Sequence, residues 1–294
     1  MTSMTGTVTP QWLSLREPAD HAARSRDLVR ELRSPRAASG YLIHDLGCGT
    51  GSMTRWLGPQ LPGPQLWVLR DQDEELLARA VSGTTLNACD DNEIRIVTRA
   101  GDVTTLRADD VAGADLVTTS ALLDLLTGRE VDRIARVCVD AGSDVLFTLT
   151  VTGDVALSPR HELDEEIGAA FNAHQRRTHH GRRLLGPDAV AHAAEVFTRL
   201  GARVVIRPSS WRLGADDVGL VVEWLSGWVG AACEQQLELA RPTRAYLHDR
   251  LADAAAGRLR VEVAHADLFA AAPHAAIEPR EPRERVAARR EYGR

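Results

Sequence analysis

From residue 41 the chain alternates short β-rich runs with single helical segments, and no other feature constrains its fold as much. The runs are YLIHDL (41–46), LWVLRD (66–71), IRIVTRA (94–100), DLVTTSA (115–121) and DVLFTLTV (144–151), with helical patterns at 51–58, 73–81 and 128–140. Strands separated by one helix each are the sequence form of βαβ units. Right-handed crossovers then join them into a doubly wound parallel sheet with helices on both faces. The expected fold is therefore α/β, a three-layer αβα sandwich about a mostly parallel sheet.

The rhythm breaks after 152 into a polar, His- and Arg-rich stretch, HELDEEIGAAFNAHQRRTHHGRR (161–183), which reads as a helical insertion or cap over about 154–185. It resumes at Gly186-Pro187, where Pro suits the first turn of a helix whose buried face carries Val190, Ala194, Phe197 and Leu200. A strand over 202–211, a long apolar-faced helix over 218–233, a helix over 242–256 and a last strand over 259–270 complete the pattern. Ahead of the sheet, residues 10–34 form an amphipathic helical pattern (Trp12, Leu28, Val29, Leu32) closed by Ser34-Pro35, and they read as a cover over the site. The expected organisation is a segment and cover helix over 1–34, one domain over 35–272, and a solvated, disordered tail over 273–294 in which arginines are balanced by glutamates.

Between the first strand and its helix lies HDLGCGTG (44–51), with glycines at 47, 49 and 51. Such a turn lets a ligand approach the backbone, and the helix start presents free N–H groups. The spacing G-x-G-x-G, with Ser52 where a third glycine would fall, departs from the dinucleotide fingerprint. Asp45 ahead of the glycines would repel a pyrophosphate and attract an amino group.

Composition removes other classes. A net charge of −6 supplies no basic field for nucleic acid. The four cysteines (48, 89, 138, 233) contain no C-x-x-C pair, which argues against a zinc site or a disulfide framework and suits a reducing compartment. The start, MTSMTGTVTPQW, has no apolar core, and no run is long enough to cross a bilayer, so the expectation is a cytoplasmic protein without membrane contact.

Asp45-Leu46-Gly47-Cys48-Gly49-Thr50-Gly51 resembles the first motif of the class I S-adenosylmethionine-dependent methyltransferases. Three further positions follow in the family's order: Asp71 at the end of the second strand within D-x-D-x-x-L-L (71–77), Gly101-Asp102-Val103 after the third, and DLVTTSA at the fourth. The resemblance implies S-adenosylmethionine as cofactor and a seven-stranded sheet whose last strand is antiparallel. By the same resemblance Asp45 meets the methionyl amino group, and Gly47, Gly49 and Gly51 pack on the methionine and ribose. Asp71, with Gln72 beside it, lies at the ribose, and Asp102 with Val103 at the adenine. Ser120 either touches the methionine end or closes its strand.

Methyl transfer depends chiefly on positioning, and a base matters only where the acceptor must lose a proton. Asp124, just past the fourth strand, is either a residue facing the transfer region or an acid at the start of the next helix. In the insertion, His174 is a candidate base and Arg176 or Arg177 a candidate anion clamp, against the reading of a solvated helical face. HQRRTHH (174–180) lacks metal-ligand spacing, so no metal is expected. His44 and the tryptophans 211, 224 and 228 read as core residues. Residues 118–121, TTSA, differ from the N-P-P-Y run of amino methyltransferases acting on adenine or glutamine. The expected activity is methyl transfer to a small-molecule acceptor, at oxygen rather than nitrogen. An RNA methyltransferase and a non-catalytic cofactor-binding partner are the alternatives.

Overall fold

The structure, a computed structural model, describes residues 8–32, 40–82, 86–179 and 181–273. Its strands are β1 (Tyr41–Leu46), β2 (Gln65–Asp71), β3 (Ile94–Ala100), β4 (Leu116–Ser120), β5 (Asp144–Ser158), β6 (Thr178–His179), β7 (Arg182–Arg183), β8 (Arg203–Pro208), β9 (Trp211–Leu213) and β10 (Arg260–Ala271). Seven of them form the central sheet in the order β3-β2-β1-β4-β5-β10-β8, and short β9 adds to β10. The pairings of β1 through β5 are all parallel, whereas β10 runs antiparallel to both β5 and β8. The order reverses beside β1, between β1 and β4, and open α/β sheets bind ligands in the crevice at such a switch point.

The helices are α1 (Pro10–Ala23), α2 (Arg26–Glu31), α3 (Ser52–Leu57), α4 (Glu74–Val81), α5 (Gly128–Asp140), α6 (Asp164–Gln175), α7 (Ala189–Arg199), α8 (Val218–Gln235) and α9 (Thr243–Ala255). Side-chain alternation along the strands builds two cores. Val145 and Phe147 pack with Val117, Leu268 and the inner faces of α5 and α7. Leu146 points the other way, to Ile43, Trp67, Leu69 and residues of α2, α3 and α4. Every residue of β1 is buried, as a central parallel strand covered on both faces must be. Each large apolar side chain buried this way contributes roughly 1.5–3 kcal/mol.

Two expectations need correction. The pattern over 10–34 is not one helix: α1 ends at Ala23 and α2 begins at Arg26, because Ser25 is extended and its N–H donates to the Asp267 carboxylate at 2.7 Å. Ser34-Pro35, expected to close that pattern, lies outside the described residues. Nor does the fifth strand stop at 151. It runs to Ser158, paired with Arg260 of β10, so residues 154–158 of the expected insertion are strand. TGDVALS lacks a continuous apolar run, and a partner some hundred residues later makes it a strand.

This long β5–β10 ribbon carries a third core, with Leu157 and Val261 packed against Ile167 of α6, Leu225 and Trp228 of α8 and Tyr246 of α9. The cap thus joins the insertion to α8 and α9. Trp211 and Trp228 are buried in it, and Trp224 stacks on Trp228. Arg250 ties its base together by donating to the Asp164 carboxylate and the Pro159 carbonyl. The tail after 273 lies outside the described residues. No described helix is long and apolar enough to cross a membrane.

Candidate active site

β1 delivers Asp45 to the centre of the sheet's carboxyl edge, and the chain then turns through Gly47, Gly49 and Gly51 at φ of +63°, +54° and +82°. A side chain at these left-handed positions would be strained, which is why glycine alternates there. Asp71, at the tip of β2, braces the turn: its Oδ2 accepts the Gly49 N–H at 2.9 Å and its Oδ1 the Asp73 N–H at 3.0 Å. Gly51 then caps α3.

Asp45 is 1 % exposed. One carboxylate oxygen accepts from the Thr118 hydroxyl at 2.7 Å, and the other has no partner. Burial pushes its pKa up to about 7, against the opposing pull of the Thr118 hydrogen bond and the Arg24 charge. An orphaned, buried carboxylate oxygen beneath a glycine turn is a receptor for a donor that the chain itself does not supply.

The other expected cofactor residues lie along the same edge. Gln72 and Asp102 are exposed after β2 and β3, and Asp102 caps a short turn by accepting the Thr104 N–H. Val103 packs its side chain on the core. Ser120 ends β4 and accepts from Arg24 at 2.9 Å. Asp124 sits buried in a single turn, Leu123–Leu125, where burial pushes its pKa up to about 6 and the Arg16 charge pulls the other way. It is not the acid at the start of α5, because Thr127 and Glu130 form that helix's capping box.

The insertion residues His174, Arg176 and Arg177 have partners of their own. His174 is buried, with Nε2 3.0 Å from Glu234 of α8 and Nδ1 accepting from Arg177, so both ring nitrogens are engaged. Desolvation lowers its pKa. Arg176 forms a two-pronged pair with Asp188 at 2.7 Å. Nothing is described of His180, and no group of His, Cys, Asp and Glu among the described residues could hold a metal ion.

Several site residues escape a reading of the sequence. Arg16 of α1 makes a bidentate pair with Asp20 and lies over the Trp211 ring at 4.9 Å, while the Trp211 indole N–H donates to Asp20 at 2.9 Å. The His265 ring is 5.2 Å from that of Trp211; its Nδ1–H donates to the Val263 carbonyl, and burial brings its pKa down to about 4. Arg24 is buried against Ser52, Ser120 and the Trp56 ring. Asp267 joins the α1–α2 break to β5. Only the helical pattern of residues 10–34 signalled any of this, because charged residues on a helix look solvated until the partner surface is known.

α1 also closes the cleft. A Cβ placed on Gly49 would meet Leu13 at 3.0 Å, and one on Gly47 would meet Leu122 at 3.1 Å. A surface cleft of about 380 Å³ between Pro10, Ser14, Arg79 and Ser82 reaches the loop at Thr50. The donor set fits an amino acid joined to a nucleoside: an acid with a spare oxygen, a braced glycine turn and exposed acids beyond it.

No family model matches the chain, and no curated protein matches it. Solved structures do overlap with it. A methyltransferase from Geobacter sulfurreducens, in complex with S-adenosyl-L-homocysteine, is 17 % identical, with a TM-score of 0.44 over 90 % of this chain and 99 % of that one. A cyclopropane synthase from Mycobacterium tuberculosis is 13 % identical, with a TM-score of 0.47 over 90 % and 94 %. A [4+2]-cyclase is 15 % identical, with a TM-score of 0.42 over 85 % and 80 %. The chain's own path of seven sheet strands, acid-first glycine loop and antiparallel β10 have the arrangement implied by the resemblance to class I methyltransferases.

Proposed function

We propose that the protein transfers a methyl group from S-adenosylmethionine to a small-molecule acceptor. The observation that supports this most is the unpartnered Asp45 oxygen beneath a glycine turn braced by Asp71. In this reading Asp45 takes the ammonium of the methionyl end, Gly47, Gly49 and Gly51 admit the ligand against the backbone, and Asp71 with Gln72 holds the ribose. Asp102 and Val103 border the adenine, and Ser120 the methionyl end. When bound, the sulfonium supplies an electrophilic methyl group.

The chain's own tasks are to orient the acceptor and exclude water. α1 serves the second by covering the loop. In this reading Asp124, buried with a pKa raised to about 6, accepts a proton from an acceptor hydroxyl, in keeping with an oxygen acceptor. The neutral His265 imidazole, whose Nδ1–H is held by the Val263 carbonyl, is a second acceptor group in this reading. His174, Arg176 and Arg177 hold the cap together in this reading, because each already has a partner in the chain.

The deciding experiment incubates the protein with methyl-labelled cofactor and a cell extract divided into small molecules, RNA and protein. Label in the small-molecule fraction is expected. Label in RNA would transfer the function to the first alternative, and cofactor binding without label anywhere would make the protein a non-catalytic binder.

Asp45 also gives the binding a pH dependence. Its pKa is raised, so apo protein carries a proton there below about 7 and a buried charge above it. An ammonium ligand prefers the charged form, so affinity for S-adenosylmethionine should rise by about fivefold from pH 6 to pH 7, the change in ionised fraction of one such group while the ligand's own amine stays protonated. Isothermal titration at the two pH values checks this, and a flat or falling profile would contradict the role of Asp45.

A further inference from the structure

Arg24 sits at the break between α1 and α2 and is 3 % exposed. Nη2 donates to the Ser120 hydroxyl at 2.9 Å, and both terminal nitrogens reach the Ser52 hydroxyl at 3.2 Å. Its Nε has no partner. A buried guanidinium ordinarily meets a carboxylate, because desolvating the charge is costly otherwise. Here the hydrogen bonds end on two neutral hydroxyls. The neighbouring acids bond elsewhere: Asp20 to Arg16 and Trp211, Asp45 to Thr118, Asp267 to Ser25 and Leu149.

The two serines locate this cation, which no carboxylate hydrogen-bonds although the charges of Asp20, Asp267 and Asp45 act on it. Ser52 opens α3 directly after the glycine turn, and Ser120 ends β4, the strand beside β1. Arg24 therefore spans the gap between the turn and the neighbouring strand end. Its charge is one of those that act on Asp45. An α-amino acid bears its ammonium and carboxylate on one carbon, so a receptor for it needs an acid and a cation side by side.

We infer that Arg24 is the carboxylate clamp of this site, binding the α-carboxylate of an amino-acid ligand while Asp45 binds its ammonium. The inference rests on the proposed cofactor and identifies the residue that recognises the end of it farthest from the adenine. It also gives α1 a reason to end where it does: the residue that closes the helix is the one that meets the ligand, so filling the site and seating the cover are one event.

Calorimetry with S-adenosylmethionine, its decarboxylated analogue and 5′-methylthioadenosine tests this. Wild type should bind S-adenosylmethionine at least about tenfold tighter than the decarboxylated form, the scale of one charge-assisted contact. Arg24→Gln, which keeps a donor for the serines and loses the charge, should erase that preference and leave the decarboxylated ligand within about twofold of wild type. Arg24→Lys should keep most of it. Equal affinity of wild type for both sulfonium ligands would overturn the clamp even if no variant folds, and a parallel loss of all three ligands in Arg24→Gln would reduce Arg24 to a structural latch. Absence of binding by all three in wild type would instead remove the cofactor reading itself.

Discussion

Asp71→Ala should lower affinity for S-adenosylmethionine and for its demethylated product by about a hundredfold or more. Two losses combine in this variant. In the proposed site the carboxylate holds the ribose, and two charge-assisted hydrogen bonds are worth roughly 1.5–3 kcal/mol each. In the structure the same carboxylate braces the turn, accepting the Gly49 and Asp73 N–H groups. Removing it frees the middle of the glycine turn as well as the ligand contact. Asp71→Asn keeps one oxygen for the turn and should fall between wild type and Ala. Because Asp71 is only partly buried, the fold should lose little, about 1 kcal/mol. Isothermal titration beside a denaturant melt separates the effects. An Asp71→Ala affinity within a few-fold of wild type would contradict the assignment of Asp71 to the ligand.

The largest loss of stability is expected at Asp267→Ala, about 3–5 kcal/mol by urea unfolding. Asp267 is 0 % exposed and accepts the N–H of Leu149 at 2.8 Å and of Ser25 at 2.7 Å. Leu149 is a buried β5 residue at φ +55°, a left-handed conformation that costs a branched side chain energy unless neighbours hold it. The pairing of β10 with β5 slips between Ala266 and Leu268, beside this carboxylate, as a bulge requires. Alanine would leave two N–H groups without their acceptor, at roughly 1–3 kcal/mol each where they stay buried, and would release the strained residue. Asp267→Asn, with one acceptor oxygen, should recover part of the loss. A change below about 1 kcal/mol for Ala would show that the break between α1 and α2 does not depend on this carboxylate.

The elements legible in the sequence are those whose signals are local. The strands and helices from 41 to 151 follow from apolar runs of the right length separated by turn residues, and the glycine turn announces itself through three alternate residues and the acid before them. Asp71 and Asp102 fall at strand ends that the same pattern defines. The extension of β5 to Ser158 had no such signal, because its partner β10 begins at Arg260. Arg16, Asp20 and Arg24 were illegible for a similar reason. At spacings of four along a helix they look like surface charges, and only the packing of α1 buries Asp20 and Arg24 and half-buries Arg16. His174 shows the converse. A histidine among arginines suggested chemistry, yet its Nε2 faces Glu234, sixty residues away on α8.

By itself, then, the sequence determined the layered sheet, the turn after β1 and the row of acids at the strand ends, since each depends on neighbours within a few residues. Tertiary structure alone decided that Asp45 keeps one oxygen free, that Asp267 braces a strained Leu149, and that Arg24 reaches Ser52 and Ser120. The physical reason is burial. Whether a charge is solvated, paired or left waiting depends on what packs over it, and here the covering surface comes from a helix on one side of the glycine turn and a strand more than two hundred residues beyond it.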